Sequence, residues 1–301
     1  SGSGPNDRDQ LIWGHKIFLV LADYLTRQGI AVLRYDDRGV GRSTGDYDRA
    51  AFEEFKRDAL AGLDYLAQRQ EIDTGQIGLI GHSEGGAIAI LAAPSSADLA
   101  YLVLMAAPGP LSDFSGLVKQ FADSYRANGA AEEAISVKCR VLEEAFWVIR
   151  REDDLSEAES KVRQVLRDAE SDVAQLSEDQ RRKVQLESLD TFDFGWMLSP
   201  GFRSILRYDA KEPLMKIKSR VLALNGAKDA QMPAENLTAI GAALAAGGNH
   251  DYVSKELPGL NHLFQTATTG SPAEYTQIEE TMSPTALNIV SDWILKKTPA
   301  R

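Results

Sequence analysis

Short apolar segments alternate with longer segments of helical periodicity in two separate parts of this chain, and this alternation constrains the fold most strongly. Five apolar runs read as strands, at 30–35, 77–81, 101–106, 220–225 and 252–257. Helical patterns precede or follow them, at 15–28, 51–70, 84–94, 201–209, 234–246 and 284–296. Strands that alternate with helices predict an α/β fold with a parallel sheet covered by helices on both faces.

The alternation is interrupted in the middle of the chain. Residues 111–200 contain helical patterns at 114–127, 131–151, 156–176 and 178–189 and no convincing strand. This segment has 12 basic and 19 acidic residues, so it carries −7 of the formal net charge of −11. Such composition indicates solvated amphipathic helices. We therefore predict a sheet-containing core at 1–110 and 201–301, with 111–200 inserted as a helical lid.

Composition excludes some function classes. A net charge of −11 argues against a nucleic-acid footprint, which needs clustered basic residues. No apolar run approaches the roughly 20 residues of a membrane helix.

Cys139 is the only cysteine, so an intrachain disulfide is excluded, and a small buried or half-buried side chain is expected there. No cluster has metal-ligand spacing, so neither metal nor cofactor is expected. The sequence decides neither the compartment nor the oligomeric state, and a homo-oligomer is one of the options.

One glycine-rich motif lies between a predicted strand and a predicted helix. Residues 81–86 read Gly-His-Ser-Glu-Gly-Gly and fit the pattern G-x-S-x-G. A sharp strand-to-helix turn would hold Ser83 in a strained conformation and expose its hydroxyl at the carboxyl end of the sheet. The flanking glycines would remove side chains that collide with neighbouring backbone. The context predicts that Ser83 is a nucleophile rather than an idle turn residue.

A serine hydroxyl is a weak nucleophile without a nearby base. Of the four histidines, His262 lies in a late loop after the last predicted strand, where this fold would place a base. His15 begins a helix, where a surface or capping role is expected. His82 lies inside the serine turn, and its side chain should point away from the serine oxygen. His250 lies in a solvated loop. We therefore predict His262 as the base.

The base needs a carboxylate that fixes its tautomer. Asp229 follows the predicted strand 220–225, so the order Ser83, Asp229, His262 is the one typical of α/β-hydrolases. A turn or N-cap role is the alternative for Asp229. Asp251 and Glu256 are weaker candidates, because one starts a strand and the other lies inside it.

Two backbone amides would stabilise the developing oxyanion. One should be the N–H of Glu84, the residue after the nucleophile. The second should come from the loop Ser1-Gly-Ser-Gly-Pro5, with the N–H of Ser3 favoured, unless these residues are a cloning remnant. Candidate substrate-binding residues of the lid, which could equally be lid core, are Trp147, Phe192, Phe194, Trp196 and Met197.

These motifs together resemble those of bacterial α/β-hydrolases of the carboxylesterase or serine-aminopeptidase-like branch. The resemblance rests on SGSGPNDRD at 1–9, YDDRGVGRSTGD at 35–46, GHSEGG at 81–86 and the late Asp and His loops. It implies an α/β-hydrolase fold with a cap. It also implies strands ahead of residue 1, one of them between 30–35 and 77–81. We therefore expect missing N-terminal strands, either cut off or supplied as a separate piece of the same protein.

The resulting expectation is a carboxylic-ester hydrolase that acts on a small-molecule substrate with short to medium acyl groups. A serine exopeptidase is the main alternative, since the same triad cleaves amides. A binding protein on an inactive hydrolase scaffold is the third. The sequence does not identify the natural substrate. The compartment also stays open: it could be the cytoplasm, or the periplasm or exterior if an N-terminal segment carries a signal peptide.

Overall fold

The computed structural model describes residues 1–110, 113–186 and 194–296. The chain divides into two compact units, Ser1–Leu111 with Asp209–Arg301, and Ser112–Tyr208. Phe192 and the last residues of the predicted helix 178–189 lie outside the described residues. No helix of the described residues is long and apolar enough to cross a bilayer.

The first unit contains all the strands of the described residues. They are β1 (Leu11–Ile12), β2 (His15–Lys16), β3 (Gly78–His82), β4 (Tyr101–Met105), β5 (Arg220–Gly226) and β6 (Tyr252–Leu257). β1 and β2 form a small antiparallel pair. The other four form one parallel sheet in the order β3-β4-β5-β6. The parallel sheet and four of the five predicted strands are thus confirmed.

The helices follow the predicted positions closely. They are α1 (Ile17–Arg27), α2 (Phe52–Ala67), α3 (Glu84–Ala92), α4 (Ser115–Ala127), α5 (Glu132–Arg151), α6 (Leu155–Asp168), α7 (Glu170–Gln175), α8 (Glu178–Lys183), α9 (Pro200–Arg207), α10 (Lys211–Lys216), α11 (Glu235–Ala246) and α12 (Pro284–Lys296). One predicted helix is divided, because α6 and α7 replace 156–176. The predicted helix 201–209 corresponds to α9, which ends two residues earlier, and α10 was not predicted.

The sheet is packed between helices. On one face, Val103, Leu222 and Leu224 join a buried cluster with residues of α1 and α12, among them Leu21 and Val290. α3 packs against β3 and β4, and α11 against β5 and β6. This arrangement directs the loops after all four parallel strands to one edge of the sheet, where ligands bind in open α/β sheets.

The predicted buried strand at 30–35 is wrong. These residues form no strand, and Val32, Leu33 and Tyr35 are 38%, 38% and 44% exposed. β3 ends the sheet, and among the described residues no strand lies between it and this segment. An extended segment becomes a strand only when a neighbour pairs with its backbone, and the apolar sequence cannot supply that neighbour.

His15 also differs from expectation. It is only 7% exposed. Its Nε2 lies 2.9 Å from the carbonyl oxygen of Tyr275, and its Nδ1 lies 3.1 Å from Oγ1 of Thr281. His15 therefore belongs to a buried polar network and is not a surface or capping group. The pairing of β2 with β1 delays the start of α1 to Ile17.

The second unit is helical and has its own core. α5 is its central helix and packs against α4, α6 and α9. Phe146 on α5 is fully buried, and its ring lies 5.7 Å from that of Phe114. Cys139 is partly buried against this core, as predicted.

Candidate active site

Ser83 lies at the sharp turn between β3 and α3. Its backbone has φ 54° and ψ −122°, which is a strained conformation for a residue with a side chain. A Cβ on Gly81 would lie 2.3 Å from the Gly85 carbonyl oxygen, and one on Gly86 would lie 2.4 Å from Cβ of Ala107. A Cβ on Gly85 would lie 2.2 Å from the Ser1 carbonyl oxygen, so both glycines of the G-x-S-x-G pattern, and Gly86 after it, are required for steric reasons.

His262 and Asp229 are hydrogen-bonded. His262 Nδ1 lies 2.8 Å from Asp229 Oδ2, and the two side chains are 5% and 0% exposed. Asp229 is in the turn after β5, and its Oδ1 accepts hydrogen bonds from the backbone N–H groups of Gln231 and Met232, at 2.8 Å each. Asp229 therefore stabilises the turn, which was the alternative role predicted for it, and it also contacts His262.

This contact has a chemical consequence. An ionised carboxylate only accepts hydrogen bonds, so Nδ1 of His262 must carry the proton. Its Nε2 then has a free lone pair and can accept a proton from a nucleophile. The rival carboxylates Asp251 and Glu256 are both exposed.

His82 joins the histidine loop to the serine turn. Its Nε2 donates to the carbonyl oxygen of His262 at 2.9 Å, and the two rings have centroids 4.8 Å apart. Burial and the neighbouring His262 lower the pKa of His82 to about 3, so its ring is neutral. The sequence predicts only that His82 points away from the serine oxygen and gives no sign of this positioning role. The partner of His82 is a backbone carbonyl group far away in the sequence, and no sequence pattern predicts such a contact.

The N-terminal loop lies against the serine turn. A Cβ on Gly2 would be 3.6 Å from Cβ of Ser83, and one on Gly85 would be 2.2 Å from the carbonyl oxygen of Ser1. Asn6 shapes this loop, because its Nδ2 donates to the carbonyl oxygens of Gly2 and Gly4, at 2.8 and 2.7 Å. No sequence pattern predicts this role for Asn6.

Both predicted oxyanion donors have available backbone amides. Glu84 is the first residue of α3, so its N–H has no partner within the helix. Among the described residues, neither this N–H nor that of Ser3 donates a hydrogen bond. Their roles as oxyanion donors stay predictions.

Two carboxyl groups lie close to this loop. Burial and the nearby Asp37 carboxylate raise the pKa of Glu84 to about 7. Burial also raises the pKa of Asp37. Oγ of Ser1 donates to Oδ2 of Asp37 at 3.2 Å.

The predicted lid residues differ in accessibility. Phe194 and Met197 are 4% and 1% exposed within the core of the second unit. Trp147 is partly buried, with its ring 4.8 Å from that of Phe114. Trp196 is 40% exposed. Their substrate-binding role stays a prediction, and Trp196 is the most accessible of the four.

The described residues contain no group of three or more His, Cys, Asp or Glu side chains that could hold a metal ion. The hydrogen-bonded histidine and carboxylate and the strained serine are groups of the kind that acyl transfer uses.

Comparisons with known proteins relate the chain to esterases and other α/β-hydrolases. Esterase EstD of Thermotoga maritima is 31% identical over 138 residues, which are 45% of this chain and 32% of EstD, so the chain spans about a third of that esterase's length. Among solved structures, α/β-hydrolase GrgF of Penicillium sp. sh18 has a TM-score of 0.56 at 14% identity, with 98% of this chain and 88% of GrgF covered. Est1E of Butyrivibrio proteoclasticus, solved with ferulic acid bound, has a TM-score of 0.50 at 16% identity, with 93% of this chain and 81% of Est1E covered.

These structural similarities support the α/β-hydrolase fold that the sheet order indicates. The model of a protein family gives a broader match along the sequence, from residue 15 to residue 190, and this is more than half of the 301 residues. The chain therefore belongs to the family described as serine aminopeptidase, S33, within the α/β-hydrolases.

Proposed function

We propose that the protein is a serine hydrolase that cleaves carboxylic esters through an acyl-enzyme on Ser83. The observation that carries the proposal is the buried 2.8 Å contact between His262 and Asp229, in a loop that His82 joins to the strained serine turn. A histidine that is oriented by a carboxylate, in a loop joined to a strained serine turn, supports the assignment of a base and its nucleophile.

The reaction would proceed in two halves. Oγ of Ser83 attacks the ester carbonyl carbon and gives its proton to Nε2 of His262, while Asp229 stabilises the imidazolium. The C–O bond to the alcohol then breaks, and His262 protonates the leaving oxygen. A water molecule attacks the acyl-serine by the same route, with His262 again as base, and releases the carboxylic acid and free Ser83.

The tetrahedral intermediate carries negative charge on the former carbonyl oxygen. The N–H groups of Glu84 and Ser3 would donate hydrogen bonds to this oxygen, assisted by the positive end of the α3 dipole. The close contact between Gly85 and Ser1 supports this role, because it brings the N-terminal loop against the start of α3.

Amide hydrolysis by an exopeptidase is the second candidate. The family description names a serine aminopeptidase, whereas EstD is named an esterase. The carboxyl groups of Asp37 and Glu84, which lie close to the N-terminal loop, favour this alternative, because a carboxylate there could attract a substrate ammonium. Esters remain favoured because an alcohol is a better leaving group than an amine in acyl transfer.

A substrate panel separates the candidates. We expect hydrolysis of p-nitrophenyl acetate, butyrate and octanoate with kcat/KM at least tenfold above that for leucyl-p-nitroanilide. Ser83→Ala should abolish both activities, whereas Ser95→Ala, at an exposed serine beyond α3, should leave them unchanged. Faster cleavage of the anilide would establish the exopeptidase, and ester turnover by Ser83→Ala at the wild-type rate would refute the proposal.

A further inference from the structure

The proposed base lies in a short turn that a buried carboxamide closes. Asn261, the residue before His262, is fully buried. Its Oδ1 accepts hydrogen bonds from the backbone N–H groups of Leu263 and Gln265, at 3.0 and 2.9 Å. The backbone N–H of Asn261 donates to the carbonyl oxygen of Gln265 at 3.0 Å. The Asn261 side chain therefore sets the path of the chain around His262.

This turn also contains strained backbone. Phe264 has φ 63°, in the left-handed region that a bulky side chain rarely adopts. Its N–H donates to the Asn261 carbonyl oxygen at 3.0 Å, and its own carbonyl oxygen accepts a hydrogen bond from the Ser283 N–H at 2.8 Å. Strained backbone persists only where its surroundings hold it in place. Loss of the Asn261 side chain would therefore let the turn relax and would shift His262.

Gln265 fixes the orientation of the Asn261 carboxamide. It is fully buried, and its Oε1 accepts a hydrogen bond from Nδ2 of Asn261 at 2.9 Å. Its Nε2 donates to the carbonyl oxygen of Glu280 at 2.9 Å and lies 3.0 Å from Nε2 of His15. Reversal of either carboxamide would oppose donor to donor and acceptor to acceptor, so each has one favourable orientation.

A buried polar pair beside a catalytic loop has a cost and a use. Burial of two carboxamides costs desolvation energy that apolar side chains would not incur. A satisfied polar network instead specifies a single geometry. The geometry next to this network is the 2.8 Å contact between Nδ1 of His262 and Oδ2 of Asp229. A base acts only within hydrogen-bond reach of the proton that it takes, so the direction of the His262 ring matters for catalysis.

We propose that Asn261 and Gln265 are positioning residues of the active site, and that Gln265 acts through Asn261 to fix the direction of the His262 ring. The inference rests on the proposed role of His262 as the base. A misdirected base slows proton transfer but leaves substrate binding intact, so kcat and not KM should depend on both residues.

Steady-state kinetics of two variants test this role. We expect kcat for p-nitrophenyl butyrate to fall by about 10² in Asn261→Ala and by about tenfold in Gln265→Leu, with KM within about threefold of the wild type. Because Gln265 acts through Asn261, the double variant should have the kcat of Asn261→Ala alone. The proposal is overturned if the two effects multiply in the double variant, or if kcat of Asn261→Ala stays within about threefold of the wild type.

Asn249→Ala is the matched control for a loss of stability. Asn249 is also a buried carboxamide, which donates to the carbonyl oxygens of Ile217 and Ser219 and accepts from the Asp251 N–H. It precedes β6, at the end of the sheet opposite to the active site. Its replacement should lower the melting temperature about as much as Asn261→Ala does and leave kcat unchanged. An equal fall of kcat in both variants would indicate a general loss of structure and overturn the proposal.

The proton between His262 and Asp229 gives a readout that needs no turnover. Its downfield NMR resonance is identified by its loss in Asp229→Asn and is followed in Ser83→Ala, with and without Asn261→Ala. We expect the resonance to weaken or disappear when Asn261 is replaced, and an unchanged resonance overturns the proposal. The positioning role can therefore fail while ester turnover persists, and turnover can fail while the resonance still depends on Asn261.

A milder variant keeps the test decisive if Asn261→Ala does not fold. In Asn261→Ser, the shorter side chain keeps a hydroxyl oxygen that can accept one backbone N–H of the turn but does not reach Gln265. We expect a folded protein whose kcat is about tenfold below that of the wild type and whose KM is unchanged. A wild-type kcat in Asn261→Ser, together with a wild-type resonance, overturns the proposal.

Discussion

Replacement of Asp229 by Asn tests the orientation of the proposed base with little change in shape. Oδ1 of Asp229 already accepts two backbone hydrogen bonds, from Gln231 and Met232. An Asn side chain can keep both only by placing its oxygen there, which turns its NH2 group toward Nδ1 of His262. Nδ1 must then accept rather than donate, and the histidine proton moves to Nε2.

The magnitude follows from that change of tautomer. With a proton on Nε2, His262 cannot accept the proton of Ser83, and an orienting carboxylate replaced in this way costs about 10⁴ in kcat in a serine protease triad. We therefore expect kcat for p-nitrophenyl butyrate to fall by about 10³ to 10⁴ in Asp229→Asn, which is about 4 to 5.5 kcal/mol of transition-state stabilisation. Because the backbone hydrogen bonds persist, the melting temperature should fall by only a few degrees.

The assay is steady-state hydrolysis at pH 8 with purified variants, together with thermal unfolding. Asp251→Asn is the matched control, because Asp251 is an exposed aspartate at the start of β6. It should keep the wild-type kcat. A kcat for Asp229→Asn within threefold of the wild type, in a folded protein, would refute the role of Asp229.

Three further changes test other parts of the structure. In Gly85→Ala the new methyl group would lie 2.2 Å from the Ser1 carbonyl oxygen, so the N-terminal loop must move; kcat should fall by about 10² as an oxyanion donor is lost, and an unchanged kcat would contradict this role. The raised pKa of Glu84, about 7 against an ordinary 4.5, means that the folded state binds its proton more tightly. The free energy of unfolding should therefore fall by about 2 kcal/mol as pH rises from 4.5 to 7, and Glu84→Gln should lack this fall in urea titrations. Phe146→Ala should reduce the free energy of unfolding of the helical unit by about 3 to 5 kcal/mol, measured by the loss of helical circular dichroism, because Phe146 is fully buried.

The parts that sequence reasoning predicted correctly depend on local patterns. The strand, serine turn and helix around Ser83 follow from the G-x-S-x-G pattern, and the need for Gly81 is local, because a Cβ there would lie 2.3 Å from the Gly85 carbonyl oxygen. The parallel strands β4 and β5 are continuous apolar runs, as expected of strands buried on both faces. Asp229 and His262 could be paired because parallel strands bring their following loops to one edge of a sheet.

The parts that it missed depend on distant partners. The segment 30–35 has the composition of a buried strand, but strand formation needs a neighbour that the described residues do not provide. His15, His82 and Asn6 each contact backbone carbonyl oxygens, at positions that depend on the folded chain. Carbonyl groups occur at every residue, so no residue type marks such a partner.

Covalent labelling tests the central claim, that Ser83 is a nucleophile activated by His262, most directly. The wild-type protein is treated with a fluorophosphonate, and the adduct is located by peptide mass spectrometry. We predict one adduct per chain, on the peptide that contains Ser83, with no adduct in Ser83→Ala and at least 100-fold slower labelling in His262→Ala. An adduct at another residue, labelling that persists in Ser83→Ala, or no labelling of the wild type would contradict the claim.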